Sequence, residues 1–240
     1  MRGIDVPVRY GLLRRPGGQL CLVDTGYGPA VTSGRRSAAL QIYNALLRPR
    51  ILQEGSPAAM LASFSAVIED VDTIVLTHFH ADHVARLNEF PKARILAHGG
   101  AAKAVLTMSN RQAIHHGVFK ELLPDDLEGR IQPIEALPML PAHPELGCGH
   151  DLFGDGSCLA IDLPGHAKGH FGIFWQHTGP CLYAVDATWN MRALLEDRTP
   201  ALSRAVVFDD RRGARVSEER LRKFIHAGGT VKLCHDLEAA

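Results

Sequence analysis

The stretch THFHADHVARL, Thr77–Leu87, contains three histidines and an aspartate within six positions. The apolar run DTIVLTH (72–78) that leads into it predicts a short buried strand. The segment ADHVARLNEF (81–90) has the spacing of a helix, which we expect to end before Pro91 because proline cannot continue a helix. The stretch therefore lies where a buried strand passes into a helix.

Four metal-capable side chains fall at this junction. In an extended segment the side chains at positions i and i+2 point the same way, so His78 and His80 can bind one metal ion. Asp82 and His83 come after the chain has turned into the helix, and they can serve a second ion nearby. A lone histidine or aspartate at a helix start is usually a solvated residue, but four such groups at this spacing predict a metal site.

The rest of the chain alternates between predicted strands and helices. VPVRYGLL and QLCLVDTG flank the turn RRPGG and predict a hairpin near the N-terminus. Apolar spacing predicts helices at 36–48 and 57–66. Further strands are predicted at 93–99, 158–166, 170–179, 181–187 and 230–235, the three before the last as a meander.

The two remaining regions are residues 105–147 and the last helix. Residues 105–147 have no steady period and scattered prolines, which predicts loops and short helices. For the last helix we predict Ser217 as N-cap, Val216 and Leu221 as a hydrophobic staple, and Gly228 as the stop.

Three later residues could complete the metal site, and each follows a predicted strand. His166 stands in LPGHAKGH after a Pro-Gly turn, Asp186 ends LYAVDATW, and His235 ends TVKLCHD. Strand ends project side chains from a rigid framework, which suits metal ligands. Taken singly, Asp186 would be a turn residue and His235 a surface histidine. Only the three residues together predict metal ligands.

Composition excludes several classes of function. The 240 residues are 46% hydrophobic and 22% charged, enough for a sizeable core in one large domain or in two fused halves. Lys+Arg and Asp+Glu are both 26, so no net field favours a nucleic-acid or membrane partner. No apolar run approaches a membrane span, no signal peptide is evident, and the five cysteines include no CxxC pair. These features predict a cytoplasmic protein with reduced, mostly buried thiols.

The order of these motifs resembles the metallo-β-lactamase superfamily in its two-metal hydrolase form. HxHxDH, an isolated PGH, a strand-terminal Asp and a late strand-terminal His occur here from about Leu20 to His235, and LVDTG fits as well. The resemblance implies a single domain over residues 1–240. Its implied fold is an αβ/βα sandwich, two β-sheets face to face with helices outside.

The resemblance also implies a role for each candidate residue. Asp186 would bridge two divalent ions, most simply Zn, with Fe, Mn or Co also accepted by such ligands. Asp24 would orient ligands without binding metal. Asp82 would be the catalytic residue, orienting a metal-bridged hydroxide and carrying a proton to the leaving group. The first ion would be held by His78, His80 and His166, and the second by Asp82, His83 and His235.

Substrate is predicted from the branch of the superfamily that the sequence resembles. HDLFGDGS before LPGHAKGH, and a DA strand end, are most similar to the N-acyl homoserine lactonases. Those enzymes carry a tyrosine three residues after the bridging aspartate, whereas this chain has Trp189, whose indole can donate a hydrogen bond but cannot accept one. Trp189 is therefore either a pocket residue or a packed core aromatic.

We therefore predict a hydrolase of a small lactone or ester. The alternatives are a thioester hydrolase resembling glyoxalase II, a phosphodiesterase on the same fold, and a non-catalytic metal-bound effector. A serine hydrolase is unsupported, because the chain has no G-x-S-x-G elbow.

The remaining histidines and one arginine receive separate interpretations. His98 ends a predicted strand and could contact substrate. His170 is interpreted as structural or peripheral, and the adjacent His115 and His116 as surface residues. Arg86 is interpreted as a helix-surface residue, with contact to an anionic substrate as the alternative.

Overall fold

The structure is a computed structural model that describes residues 5–197 and 209–237. Contacts within the chain divide it into two compact units. The first unit is Tyr10–Gln132, and the second combines the segment that ends at Arg9 with the residues from Pro133 onward. The prediction of one domain over residues 1–240 stays a prediction.

The first unit is built on a five-stranded sheet of order β1-β2-β3-β4-β5. The first two strands form the predicted antiparallel hairpin, although it is shorter than the sequence suggested, and β2, β3 and β4 are parallel. Parallel strands are covered on both faces, and Leu20–Val23 are accordingly all buried. The strands are β1 (Gly11–Arg14), β2 (Leu20–Val23), β3 (Val71–Val75), β4 (Arg94–Ala97) and β5 (Ile131–Pro133).

Both predicted helices of the β2–β3 connection are confirmed. The hydroxyl of Ser37 accepts a hydrogen bond from Leu40 N, and that of Ser56 accepts one from Ala59 N, so each helix starts at a serine N-cap. The helices of this unit are α1 (Pro29–Thr32), α2 (Ala38–Leu47), α3 (Pro57–Ser63), α4 (Ala81–Val84), α5 (Gly99–Thr107), α6 (Asn110–His115) and α7 (Leu127–Arg130), with single 3-10 turns at Ile68–Asp70, Leu87–Glu89 and Lys120–Leu122.

The helix predicted over residues 81–90 is wrong in its length. The α-helical part is one turn, α4, and a separate 3-10 turn follows at Leu87–Glu89. A tertiary contact ends the helix early. The backbone N–H of Arg86 donates to Thr25 Oγ1 at 3.3 Å, so it does not continue the helical hydrogen-bond ladder. The histidine motif consequently lies on a short turn whose orientation is fixed by the chain that follows β2.

The second unit is built on a six-stranded sheet of order β11-β10-β9-β8-β7-β6. The meander prediction is confirmed for β8, β9 and β10, which pair antiparallel, while β10 and β11 pair parallel. The strands are β6 (Met139–His143), β7 (Gly147–Asp151), β8 (Cys158–Asp162), β9 (Phe171–Gln176), β10 (Pro180–Val185) and β11 (Thr230–Leu233).

The prediction for residues 105–147 is partly wrong. The short helices α6 and α7 occur, but the region also contains strands β5 and β6 and the start of β7. Strands β6 and β7 have mostly exposed or half-buried residues, so they lack the apolar pattern by which strands are found.

The last helix begins seven residues earlier than predicted. The second unit has a 3-10 turn at Ile134–Ala136 and the helices α8 (Met191–Leu195) and α9 (Arg211–His226). Asp210 is the N-cap of α9, and Ser217 lies inside the helix, where its hydroxyl donates to Pro164 O at 2.6 Å. The staple is also wrong, since Val216 is exposed. Gly228 follows the helix with φ of 89°, as a stop residue should.

Each unit has its own hydrophobic core. Leu22, Ile74 and Ile95 are fully buried in the first, and Leu182 and Phe224 in the second. Among the described residues, no helix is both long and apolar enough to cross a membrane. All five cysteines are free, and three of them are buried: Cys21, Cys158 and Cys234.

Candidate metal centre

The first two histidines of the motif lie in the extended segment between β3 and α4. His80 is the N-cap of α4 with extended backbone angles (φ −70°, ψ 158°), so its side chain lies on the same side as that of His78. The His78 Nε2 and His80 Nδ1 atoms are 3.1 Å apart. This is the pairing that the i, i+2 spacing predicted.

Asp82 and His83 join the same cluster from the first turn of α4. The His83 ring centroid lies 4.0 Å from that of His78, and His83 Nε2 is 3.5 Å from Asp82 Oδ2. Both residues are buried. The four side chains of the motif therefore meet in the first unit, although they come from two different local structures.

Asp24 orients two of these imidazoles. Its Oδ2 accepts a hydrogen bond from His83 Nδ1 at 2.8 Å, and its Oδ1 accepts one from Thr77 N at 2.9 Å. The Thr77 hydroxyl donates its proton to Asp24 Oδ2 at 2.8 Å, so it can only accept from His78 Nδ1, which is 3.1 Å away. His78 and His83 thus both carry the proton on Nδ1 and present Nε2 to the cluster.

Thr77 was missed by the sequence reasoning. It precedes the first histidine of the motif and is fully buried, and its hydroxyl connects Asp24 to His78. The only signal in the sequence is a hydroxyl residue at the end of an apolar strand. Such residues commonly bond to nearby backbone groups, so the signal does not single out a role beside a metal ligand.

The second unit brings His166, Asp186 and His235 together. Asp186 Oδ2 is 3.2 Å from His166 Nε2 and 3.3 Å from His235 Nε2. His235 Nδ1 donates to Pro7 O at 2.8 Å, which fixes its proton on the opposite side of the ring. All three side chains are buried. One carboxylate oxygen therefore lies beside two imidazole nitrogens, as expected for a ligand shared between ions.

The local backbone explains how these residues are placed. Gly165 has φ of 130°, and a Cβ at this position would overlap the backbone nitrogen of Ala214, so only glycine fits the turn before His166. Val185 has φ of 55°, which turns the end of β10 just before Asp186. Positive-φ residues directly before His166 and Asp186 thus set the direction of two predicted ligands.

His170 has the structural role that was predicted for it. Its Nδ1 donates to Leu163 O at 2.9 Å, and its Nε2 accepts from Asp186 N at 3.3 Å. Both ring nitrogens are used, and they hold the backbone of Asp186.

Trp189 is not a packed core residue. Its side chain is 42% exposed, and its ring centroid lies 5.0 Å from that of His235 and 6.3 Å from that of His166. The core interpretation is therefore wrong, and the indole lies beside the ligand group of the second unit.

The other candidate histidines are a helix cap or exposed residues. His98 is the N-cap of α5, where Nδ1 accepts from Ala101 N at 3.3 Å. Its contact with substrate stays a prediction. His115 and His116 are exposed, as expected.

The interpretation of Arg86 as a surface residue is wrong. The side chain is 6% exposed, Nε donates to Tyr27 O at 2.7 Å, and Nη1 pairs with Glu89 at 2.7 Å. A Cβ on Gly28 would lie 2.8 Å from Arg86 Cγ, so glycine leaves space for the buried arginine side chain.

The Tyr10 phenol is partly buried, and this burial raises its pKa. The nearby Arg86 cation has the opposite effect and lowers the pKa.

The ligand atoms have the chemistry of a divalent-metal site. His83 and His235 each hold a proton on Nδ1 and place Nε2 within 3.5 Å of a carboxylate oxygen. A cation between two such acceptor atoms could be bound by both of them. Imidazole nitrogen and carboxylate oxygen are good ligands for zinc and for other first-row divalent metals.

Comparison with known proteins decides the family. The model of the metallo-beta-lactamase superfamily matches residues 3–224. This chain belongs to the metallo-beta-lactamase superfamily. The superfamily fold class, the αβ/βα sandwich, is confirmed by this match and by the fold likeness to a solved relative.

Three similar proteins are informative. A probable metallo-hydrolase of Mycobacterium tuberculosis is 32% identical over 165 residues, 64% of this chain and 48% of that protein, so the chain spans about half the length of that relative. The N-acyl homoserine lactonase AttM of Azorhizobium caulinodans is 22% identical over 249 residues, 98% of this chain and 84% of that one. A structure of an N-acyl homoserine lactone hydrolase, with the product N-hexanoyl-L-homoserine at its catalytic metal center, has a TM-score of 0.69 at 21% identity and covers 98% of this chain and 83% of that chain.

Proposed function

We propose that the chain is a metal-dependent hydrolase that opens a small lactone or ester and uses two divalent ions, zinc first among them. The observation that carries the proposal is the placement of Asp186 Oδ2 within 3.3 Å of the Nε2 atoms of both His166 and His235. A carboxylate shared in this way is the natural bridge between two ions.

The two ligand groups divide between the ions according to the superfamily pattern. Asp186 would contact both ions. The first ion would be held by His78, His80 and His166, and the second by Asp82, His83 and His235. In the second group, His83 and His235 are oriented through their Nδ1 atoms, the arrangement that favours metal binding at Nε2.

The protein supplies orientation and proton transfer at this site. When bound, the ions would lower the pKa of a water molecule far enough to supply hydroxide near neutral pH and would polarise the carbonyl oxygen under attack. Asp82 would accept a proton at a carboxylate oxygen and deliver it to the leaving oxygen. The Trp189 N–H, on a half-exposed ring beside His235, would donate a hydrogen bond to the substrate carbonyl.

A lactone is the preferred substrate because two of the three relatives are N-acyl homoserine lactonases or hydrolases. Their overall identity of 21–22% supports the reaction type more than the acyl chain length. Thioester and phosphodiester hydrolysis, and a non-catalytic metal-bound role, are the alternatives that the experiment has to separate.

A hydrolysis panel on zinc-loaded protein tests the proposal. Acyl homoserine lactones, simple esters, thioesters and phosphodiesters are compared at equal metal occupancy, with His80→Ala as the control for the metal site. We expect the largest kcat/KM on a lactone and its loss in His80→Ala. A larger kcat/KM on a thioester or phosphodiester would replace the lactonase proposal, and full metal loading without any turnover would favour the effector role.

A further inference from the structure

The backbone next to His235 is held by a segment from the other end of the sequence. Pro7 O accepts the hydrogen bond from His235 Nδ1 at 2.8 Å. Two residues further on, Arg9 Nη1 donates to the carbonyl oxygens of Cys234 at 3.1 Å and of Asp236 at 2.7 Å. A single guanidinium nitrogen thus donates to the carbonyl oxygens of the residues before and after His235.

Arg9 is itself anchored by its own carbonyl oxygen. That oxygen accepts hydrogen bonds from the Tyr183 hydroxyl at 3.0 Å and from the Cys234 thiol at 3.3 Å. Tyr183 belongs to β10, the strand that ends just before Asp186. The residues from Pro7 to Arg9 therefore form a clip between the end of β10 and the loop that carries His235.

We propose that Arg9 is a positioning residue for the metal ligand His235. The proposal rests on the proposed function, because it assumes that His235 binds a metal ion. Arg9 does not contact the ion or the substrate. It fixes the backbone on both sides of His235 and keeps the Pro7 carbonyl where it selects the Nδ1–H tautomer, so that Nε2 is ready to bind.

Preorganisation of His235 depends on its backbone and on its tautomer. His235 follows the short strand β11, and its imidazole needs both a fixed backbone and a fixed tautomer to meet Asp186 at 3.3 Å. Without Arg9, the two carbonyl oxygens would turn to solvent and the loop would sample other conformations. Metal affinity would then fall, because ordering the ligand would be part of the binding free energy.

The test measures metal affinity separately from activity. Arg9→Met removes both donated hydrogen bonds and nearly keeps the length of the side chain, and Arg9→Lys restores one cationic donor. Arg220→Met is the matched control, because Arg220 in the same unit also donates to two backbone carbonyl oxygens, those of Asp162 and Leu146. Zinc affinity is measured by competition with a chromophoric chelator, and the occupancy of each ion by elemental analysis.

We expect Arg9→Met to keep the affinity for the first ion within about twofold and to weaken the second by roughly 10–100-fold. Arg9→Lys should recover part of the loss. Arg220→Met should unfold at lower temperature while both affinities stay unchanged. If Arg9→Met does not fold, Arg9→Gln, which keeps an amide donor, should show an intermediate loss. Unchanged affinities in a folded Arg9→Met or Arg9→Gln variant, or an equal loss in Arg220→Met, would overturn the proposal.

A metal-free readout separates this proposal from the proposed function. In protein stripped of metal, the nitrogen chemical shifts of His235 should report one tautomer in the wild type and a mixture in Arg9→Met, with His235→Gln identifying the signals. If the wild type binds two ions but hydrolyses nothing, the proposed function fails and the role of Arg9 stands. If the tautomer is unaffected by Arg9→Met, the role of Arg9 fails even when the enzyme is active.

Discussion

Asp24 Oδ2 accepts a hydrogen bond from His83 Nδ1 at 2.8 Å, and both side chains are fully buried. Because Asp24 also binds the Thr77 backbone and hydroxyl, one carboxylate determines the orientation of two imidazoles of the histidine motif. The orientation of these candidate ligands therefore depends on Asp24, which lies 53 positions before Thr77 and need not contact an ion.

Asp24→Asn tests this dependence. The amide can accept at only one atom, so either His83 or Thr77 loses its partner, and we expect metal affinity to fall by roughly 10–100-fold. Chelator competition measures the loss. Asp151→Asn is the control, because Asp151 is a buried carboxylate that accepts from the backbone N–H groups of Phe153, Gly154 and Gly156. It should cost stability without changing metal affinity, and an equal effect on metal from both variants would contradict the role of Asp24.

Asp82→Asn separates ligand from proton carrier. Asn keeps the shape and one oxygen donor, so the protein should fold and bind the second ion more weakly. At saturating metal, kcat should still fall by about 10²–10⁴-fold, because an amide cannot accept the proton. Near-native turnover with both ions present, measured in the same sample, would make Asp82 a ligand only.

Metal content separates the ligands from other histidines. His80→Ala and His166→Ala should each lose bound metal and activity, whereas the wild type should hold about two ions per chain by elemental analysis. His116→Ala is the matched control, since His116 is exposed at the end of α6 and should change neither property. A folded wild type that never exceeds one ion after reconstitution would rule out the two-metal site.

Trp189 should affect substrate more than metal. Trp189→Ala removes an exposed ring that lies 5.0 Å from the His235 ring, so we expect a raised KM with metal occupancy unchanged. Trp189→Tyr supplies a hydroxyl that can both donate and accept, and it should retain or increase kcat on lactones. Steady-state kinetics at full occupancy distinguish these effects, and an unchanged KM in Trp189→Ala would place the ring outside the pocket.

Gly165→Ala should disturb the site through the backbone. An alanine at φ of 130° is strained, and its Cβ would overlap Ala214, so we expect a loss of about 2 kcal/mol or more in the free energy of unfolding. His166 should bind metal more weakly as well. Gly129→Ala, in α7 with no atom within 4 Å of the new Cβ, should be neutral or slightly stabilising in the same urea titration.

The candidate ligands were predictable from sequence because their signals are local, and their metal binding stays a prediction. In a sequence, a strand end followed by a turn is recognised from an apolar run and then a Pro-Gly pair or a helix-start signal. The four metal-capable residues of HxHxDH also lie within one short segment, so their spacing can be read directly. Asp24 was expected to orient ligands only through the superfamily resemblance, and two further partners, Pro7 and Thr77, could not be found from the sequence. Pro7 acts through a carbonyl oxygen that every residue has, and Thr77 through a hydroxyl with many alternative uses.

The wrong predictions for Arg86 and for the start of α9 have the same physical origin. Arg86 reads as a surface residue because its burial depends on Tyr27 and Gly28, which are far away in sequence. The predicted start of α9 was too late because it places the N-cap at Ser217, whereas Asp210 caps the helix and the Ser217 hydroxyl donates to Pro164 O. In both cases a tertiary contact overrides a local preference.

Two long-range contacts limit when the second unit can assemble during synthesis. They are the parallel pairing of β10 with β11 and the hydrogen bond from His235 Nδ1 to Pro7 O. His235 is joined to Asp186 through a crossover that includes α9, and its partner Pro7 is 228 positions away. Closing a loop of that size costs entropy that is recovered only when both segments are in place. If His235 binds the second ion as proposed, a nascent chain can form the histidine motif of the first unit early, but the ligand set of that ion is complete only after residue 235 has left the ribosome.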